Sequence, residues 1–155
     1  MIYMTFLQGC DGSVLINSTR KNQAEKDGIP NLSLRGFQVI DAAKTAVEAA
    51  CPGVVSCADI LSLVARDAIH QIKGPYWPVP LGRRDGRVSI ASESFTLPAP
   101  FANITQLKAQ FLSKGLNVKD LAVLSDFQAS MVKMGQIGVL TGKAGEIRRH
   151  CALIN

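Results

Sequence analysis

Five prolines fall between residues 75 and 100 (Pro75, Pro78, Pro80, Pro98 and Pro100), and they constrain the middle of this 155-residue chain more than any other feature. Each locks its own φ and lacks the N–H that a helix or a β-ladder needs, so neither a pair of helices nor a long strand persists there. The stretch after Gly74 is expected to be extended and loop-rich, and to depend on contacts from distant parts of the chain.

Helical patterning lies on both sides of it. Phe37, Ile40, Ala43, Val47 and Ala50 recur at three- and four-residue steps, one face of a helix that stops before Pro52. Ser56 followed three residues later by Asp59 reads as an N-cap with a carboxylate in the first turn. The helix it opens carries Ile60, Leu61, Leu63, Val64, Ala65, Ala68 and Ile69, apolar on nearly every side, and is expected to be buried until Gly74-Pro75 ends it. Asn103 can cap a third helix bearing Ile104, Leu107, Phe111 and Leu112, with Gly115 as its stop. Asn117 with Asp120 starts a fourth, which periodicity alone continues without a breaker to Gly135. There is no internal repeat and no low-complexity tract. The fold class is all-α: helices linked by long loops, with little or no sheet, in one domain.

A chain of this length suits a single domain that buries roughly 70% of its unfolded surface. Hydrophobic residues at 47% and charged residues at 19% fit a globular protein. No apolar run approaches the ~20 residues that span a bilayer, so no membrane is expected. The net charge of +5 comes from scattered Lys and Arg, densest at Arg83, Arg84 and Arg87. No aromatic residues interleave with them as in a single-strand binder, so a solvated basic face is expected and no nucleic acid. Residues 1–7 are too short, too weakly apolar and without the basic start of a secretory signal. Three acceptor sequons, Asn17-Ser18-Thr19, Asn31-Leu32-Ser33 and Asn103-Ile104-Thr105, carry weight only in a secreted protein. The four cysteines allow three pairings, and none clusters with histidine at metal-ligand spacing.

Five motifs stand out: Gln8-Gly9-Cys10-Asp11-Gly12-Ser13-Val14-Leu15, Cys51-Pro52-Gly53-Val54-Val55-Ser56-Cys57-Ala58-Asp59, Leu81-Gly82-Arg83-Arg84-Asp85, Leu97-Pro98-Ala99-Pro100, and Ser130-Met131-Val132-Lys133-Met134-Gly135 with Gly145-Glu146-Ile147-Arg148. In order and spacing they resemble the secretory plant (class III) haem peroxidases, and nearly all of the chain matches somewhere. The resemblance implies a partial haem-peroxidase fold in a single incomplete domain. Residues 1–125 would be a distal-side part lacking the distal-histidine helix, and residues 126–155 the C-terminal family segment. Family members carry a Gly-Ala-His-Thr type motif and more than a hundred further residues where this chain joins Ser125 directly to Asp126.

The chemistry implied is one-electron oxidation of small phenolic donors by hydrogen peroxide, in response to oxidative stress and in peroxide catabolism, with haem b and calcium as cofactors and a secreted, extracellular or vacuolar, location. A haem peroxidase holds iron by an imidazole and needs a base and a cation to break the peroxide bond. The family's proximal His lies in the motif absent after Ser125. Its distal base aligns with Tyr3, and a phenol with an unperturbed pKa of about 10 is a poor base near neutrality. His70 and His150 are the chain's two histidines, and each is expected to be an ordinary structural or solvent-facing residue. Catalytic residues are therefore none, and inactivity of this chain is expected.

Site residues follow position by position from the same resemblance. The carbonyls of Leu7 and Gly9, the Asp11 carboxylate, the Ser13 hydroxyl and Glu25 match most of the family's distal calcium site. The family's first aspartate aligns with Met4, so the set is incomplete and binding is expected to be weak. A glycine-containing turn in which Asp11 bonds backbone is the competing account. Asn31 matches the residue that orients the distal histidine, with a turn-forming Asn after Pro30 as the alternative. Ser33 matches a position that bonds a haem propionate. Pro98 matches the proline that meets aromatic donors at the haem edge.

The resemblance further implies a disulfide between Cys57 and Cys151, with Cys10 and Cys51 left as thiols. Asp59 with Arg83 or Arg84 is expected as a buried pair, or as a surface pair worth little. Two other functions compete with catalysis: a non-catalytic remnant of the family, and a basic module that binds acidic polymers such as pectin. Exposed apolar surface and self-association are expected where helix partners are missing.

Overall fold

The computed structural model describes residues 10–96, 98–99, 101–122 and 127–155. Five α-helices lie among them: α1 (Phe37–Ala50), α2 (Cys57–Gln71), α3 (Ile104–Ser113), α4 (Val118–Ala122) and α5 (Phe127–Met134). No strand occurs among the described residues, only isolated bridges that pair Thr19 with Asn22, Arg84 with Leu140 and Asp85 with Glu146. The all-α class holds. The join at Ser125 and Asp126 lies outside the described residues, as does the course of the helix expected to run through it.

Two apolar clusters carry the packing. The first gathers Val14, Leu15, Ile40, Cys57, Ile60 and Cys151, with Phe37, Ala43 and Val64 packed against it. It joins the opening loop, α1, the start of α2 and the closing segment. The second gathers Phe111, Leu116 and Met134, with Leu121 and Met131 against it, and unites α3, α4 and α5.

Ser56 caps α2 by accepting the Asp59 N–H at 3.0 Å, which satisfies one of the donors a helix start leaves open. Two more are taken by Asp85, whose carboxylate accepts from Cys57 N–H at 3.1 Å and Ala58 N–H at 2.9 Å. Asn103 and Gln106 form a reciprocal capping box on α3. Gly115 follows with φ +74°, a conformation that costs glycine little.

Several expectations need correcting. α2 is not buried along its length: its first turn and Ala65 are, but Ala68 is exposed and Ile69 half-buried. The apolar count along the helix could not show that its C-terminal turn is only partly covered. On α1 the buried face takes in Lys44 and leaves Ala50 exposed. The Lys44 stem packs inward while its ammonium reaches Glu48 at 2.5 Å and the Val55 carbonyl at 2.6 Å. The basic face at Arg83, Arg84 and Arg87 is not a solvated one. Arg83 is 4% exposed and Arg84 half-buried, leaving only Arg87 with most of its side chain in solvent. The proline-rich segment also holds one regular piece, a 3-10 helix at Ala91–Thr96.

Candidate functional site

The opening loop turns at Gly12, whose φ of +68° lets Asp11 fold back on the chain. Asp11 Oδ1 accepts the Ser13 N–H at 3.0 Å, as the turn account expected. Ser13 Oγ in turn donates to the Glu25 carboxylate, at 3.2 and 3.1 Å to its two oxygens. Asp11, Ser13 and Glu25 are all buried, Glu25 completely. The structure thus brings three of the five sequence-derived calcium positions together. Leu7 and Gly9 lie outside the described residues.

Glu25 forms no ion pair among the described residues. Burial pushes its pKa up to about 7, with the charges of Asp11 and Glu93 acting in the same direction and the Ser13 hydroxyl opposing them. A buried carboxylate beside a second carboxylate and a hydroxyl is an all-oxygen donor set, the kind a hard cation selects. The donor chemistry is of the calcium type, although among the described residues no group of three or more His, Cys, Asp or Glu side chains is placed to hold a metal ion. Sequence reasoning missed Glu93, which lies in the 3-10 helix that the proline pattern concealed. Its Oε2 is buried without a hydrogen-bond partner among the described residues.

Asn31 ends a 3-10 turn at Ile29–Asn31 and is 1% exposed. Its Nδ2 donates to the Glu25 carbonyl at 2.8 Å, while its Oδ1 is buried and accepts nothing among the described residues. A turn-forming role explains the nitrogen and leaves the oxygen unexplained. Ser33 is exposed and Pro98 half-buried, so neither is packed into the Glu25 cluster.

A cavity of about 70 Å³ lies between α2, the Trp77–Pro80 stretch and α5, with Leu61, Trp77, Arg83 and Met131 among its walls. Neither histidine lines it. His70 is exposed with its ring 5.5 Å from that of Tyr76, and His150 is exposed in the closing segment.

Two buried ion pairs hold the walls. Asp59 Oδ1 lies 3.2 Å from Arg83 Nη1, and Arg83 Nη2 donates to the Gly135 carbonyl at 2.7 Å, tying α2 to the end of α5. Of the two arginines offered by the sequence, the structure selects Arg83. Arg148 Nε lies 3.8 Å from Asp85 Oδ2, and its guanidinium donates to the Gly12 carbonyl at 2.6 Å. Cys57 and Cys151 are joined by a disulfide with their Cα atoms 5.6 Å apart, and Cys10 and Cys51 carry no disulfide.

A family model described as peroxidase matches residues 3–129. "Peroxidase 1" of Arabidopsis thaliana is 61% identical over 121 residues, 77% of this chain and 37% of its own length. "Peroxidase 1" of Oryza sativa subsp. japonica is 60% identical over 120 residues, again 77% and 37%. "Peroxidase 27" of Arabidopsis thaliana is 55% identical over 138 residues, 89% of this chain and 42% of the relative. The chain therefore spans less than half the length of the curated relatives it matches.

Proposed function

Because this chain belongs to the peroxidase family, we propose that it supplies part of that family's frame and that its 155 residues do not themselves catalyse peroxide reduction. The family reaction, one-electron oxidation of small phenolic donors by hydrogen peroxide on haem b, is the activity of the line it descends from. Iron in that reaction is held by imidazole. The observation that carries the reading is the position of the chain's two histidines, both exposed and neither lining the cavity beside α2. The unpartnered Oδ1 of Asn31 supports it: a buried acceptor costs free energy unless a donor meets it. A distal imidazole N–H is the donor that the resemblance would place there.

Calcium belongs to the same proposal. Asp11, Ser13 and Glu25, with Leu7 and Gly9, form a weakened cation loop that steadies the opening turn. Ser33 and Pro98 persist as positions that would meet a propionate and an aromatic donor in a complete site. A secreted location is supported by the Cys57–Cys151 disulfide, a bond that persists in oxidising compartments. Self-association through apolar surface is supported by the exposure of Phe101 at 88%, Ile72 at 75% and Ile29 at 71%. The pairing of Arg83 with Asp59 and of Arg87 with Glu146 disfavours a polyanion-binding face.

The test adds haemin to the purified chain and records the Soret band and guaiacol turnover with peroxide. The expected result is the spectrum and rate of free haemin. A histidine-ligated band with saturable turnover overturns the reading.

A further inference from the structure

Three sulfur-bearing residues form part of the wall of the cavity between α2, the Trp77–Pro80 stretch and α5: Cys10 from the opening loop, and Met131 and Met134 from α5. The two methionines are three residues apart on the helix, so they project from one face of it. Cys10 is fixed against the end of the same helix. Its N–H donates to the Ile137 carbonyl at 2.9 Å, and its thiol donates to the Met134 carbonyl at 3.5 Å. Cys10 is half-buried and carries no disulfide. It lies 124 residues from Met134 in the chain, so folding alone brings these sulfurs to one place.

The rest of the wall decides what such a donor set takes. Among the described residues, no Asp, Glu or His lines the cavity. The Ser13 hydroxyl on its wall is engaged with Glu25, and the Arg83 guanidinium pairs with Asp59 at 3.2 Å. A hard dication finds neither its oxygen ligands nor compensating charge there, whereas thiolate and thioether sulfur select monovalent copper. Methionine is unbranched and freely rotating, so its sulfur can turn to an ion without movement of the helix. A cavity of about 70 Å³ has room for a single ion and for that turn.

We infer that Cys10, Met131 and Met134 form a site for a soft monovalent metal ion, Cu(I), inside this cavity. On binding, the S–H bond of Cys10 breaks and an S–Cu bond forms, the proton leaves to solvent, and copper stays in the +1 state. Thiolate and ion are together neutral, which is what an apolar cavity accepts without a further counter-charge. Cys51, the other free thiol, meets the Val47 carbonyl at 3.4 Å and does not line this cavity. The site is distinct in its donors from the oxygen cluster at Glu25 and does not depend on whether haem is held.

The test titrates the full chain, disulfide intact, with Cu(I) under anaerobic conditions in competition with bicinchoninate, ascorbate keeping the ion reduced. One equivalent is expected to bind, with a sulfur-to-copper charge-transfer band in the ultraviolet and X-ray absorption that shows sulfur scatterers alone. Cys51→Ser is expected to leave this unchanged and is the background for the other variants. In that background Cys10→Ser is expected to abolish binding, and Met131→Leu and Met134→Leu, which conserve volume in apolar surroundings, each to weaken it several-fold. Where a variant fails to fold, the parent chain decides: Ag(I), a redox-inert stand-in, is expected to protect Cys10 from alkylation, read by peptide mass spectrometry. Copper retained by Cys10→Ser, nitrogen or oxygen in the coordination sphere, affinity indifferent to both methionine changes, or Cys10 alkylated equally fast with Ag(I) overturns the inference.

Discussion

Asp85 and Arg148 meet with both side chains fully buried, although 63 residues separate them in the chain. Asp85 accepts the Arg148 N–H at 2.8 Å as well as two N–H groups at the start of α2. One carboxylate therefore satisfies a helix start, fixes the closing segment and is the foremost of the negative charges, ahead of Asp11 and Glu146, that favour the buried Arg148 guanidinium.

Replacing Asp85 removes all three functions at once. Asp85→Ala leaves Arg148 buried without its ion-pair partner, for which the usual cost is about 3–5 kcal/mol. Asp85→Asn keeps an acceptor oxygen for the N–H groups and is expected to fall between Ala and the parent. Urea unfolding followed by circular dichroism measures the order, and a parent-like Asp85→Ala would contradict it.

Glu25 sets a dependence on pH. Below its ordinary value of 4.5 both the folded and the unfolded chain hold the proton. Between 4.5 and about 7 the folded chain keeps a proton that the unfolded chain has released. Stability contributed by this group is therefore greatest in acid and falls as pH rises through that window, by up to about 3 kcal/mol. In the presence of a chelator, Glu25→Gln is expected to flatten the slope and to be more stable than the parent at pH 8. Calcium is expected to raise the parent's Tm at pH 8 and to leave it unchanged at pH 5. No calcium shift at pH 8 would remove the loop's claim to bind the ion.

Local features were the legible part of this fold. Ser56, Asn103 and Asn117 announced helix starts because a cap is a contact within three residues, and each is seen with its expected N–H. The prolines marked the irregular middle for the same reason. Burial was less legible, since it depends on what packs against a face: the apolar run on α2 predicted full cover that its C-terminal turn has only in part, and nothing in α1 marked Lys44 for the interior. In the candidate site, Asp11 and Ser13 were adjacent in the motif. Glu93 was not marked, because the 3-10 helix that carries it has no periodicity to follow and meets the 3-10 turn bearing Glu25 only in three dimensions.

The cap on α3 gives a small, well-bounded expectation. Asn103 Oδ1 accepts the Gln106 N–H at 2.9 Å, and Gln106 Oε1 accepts the Asn103 N–H at 3.0 Å. In protein made without glycans, Asn103→Ala is expected to cost about 1 kcal/mol and Asn103→Ser much less. α3 contributes Phe111 to the second apolar cluster, so the loss should also speed amide exchange across residues 104–113. Hydrogen-exchange mass spectrometry reads it, and unchanged exchange in the Ala variant would show that α3 is held by packing alone.

The disulfide supplies the largest single expectation. Cys57 and Cys151 lie 94 residues apart in the chain and are 0% and 1% exposed. Opening so long a loop releases denatured-state entropy worth on the order of 4–5 kcal/mol. The Cys57→Ser plus Cys151→Ser double variant should lose that much, and it also places two hydroxyls in the apolar cluster formed by Val14, Leu15 and Ile60. The Cys57→Ala plus Cys151→Ala variant separates the two effects, because it removes the cross-link without adding a polar group. Cys51→Ser, at a half-buried thiol that meets the Val47 carbonyl at 3.4 Å, should change stability by less than about 1 kcal/mol. Because both bridged sulfurs are shielded, a thiol reductant should reach them only through unfolding, so the reduction rate in native buffer should rise with urea in step with the unfolding rate. Fast reduction that is independent of urea would show that the closing segment detaches while the rest of the chain remains folded.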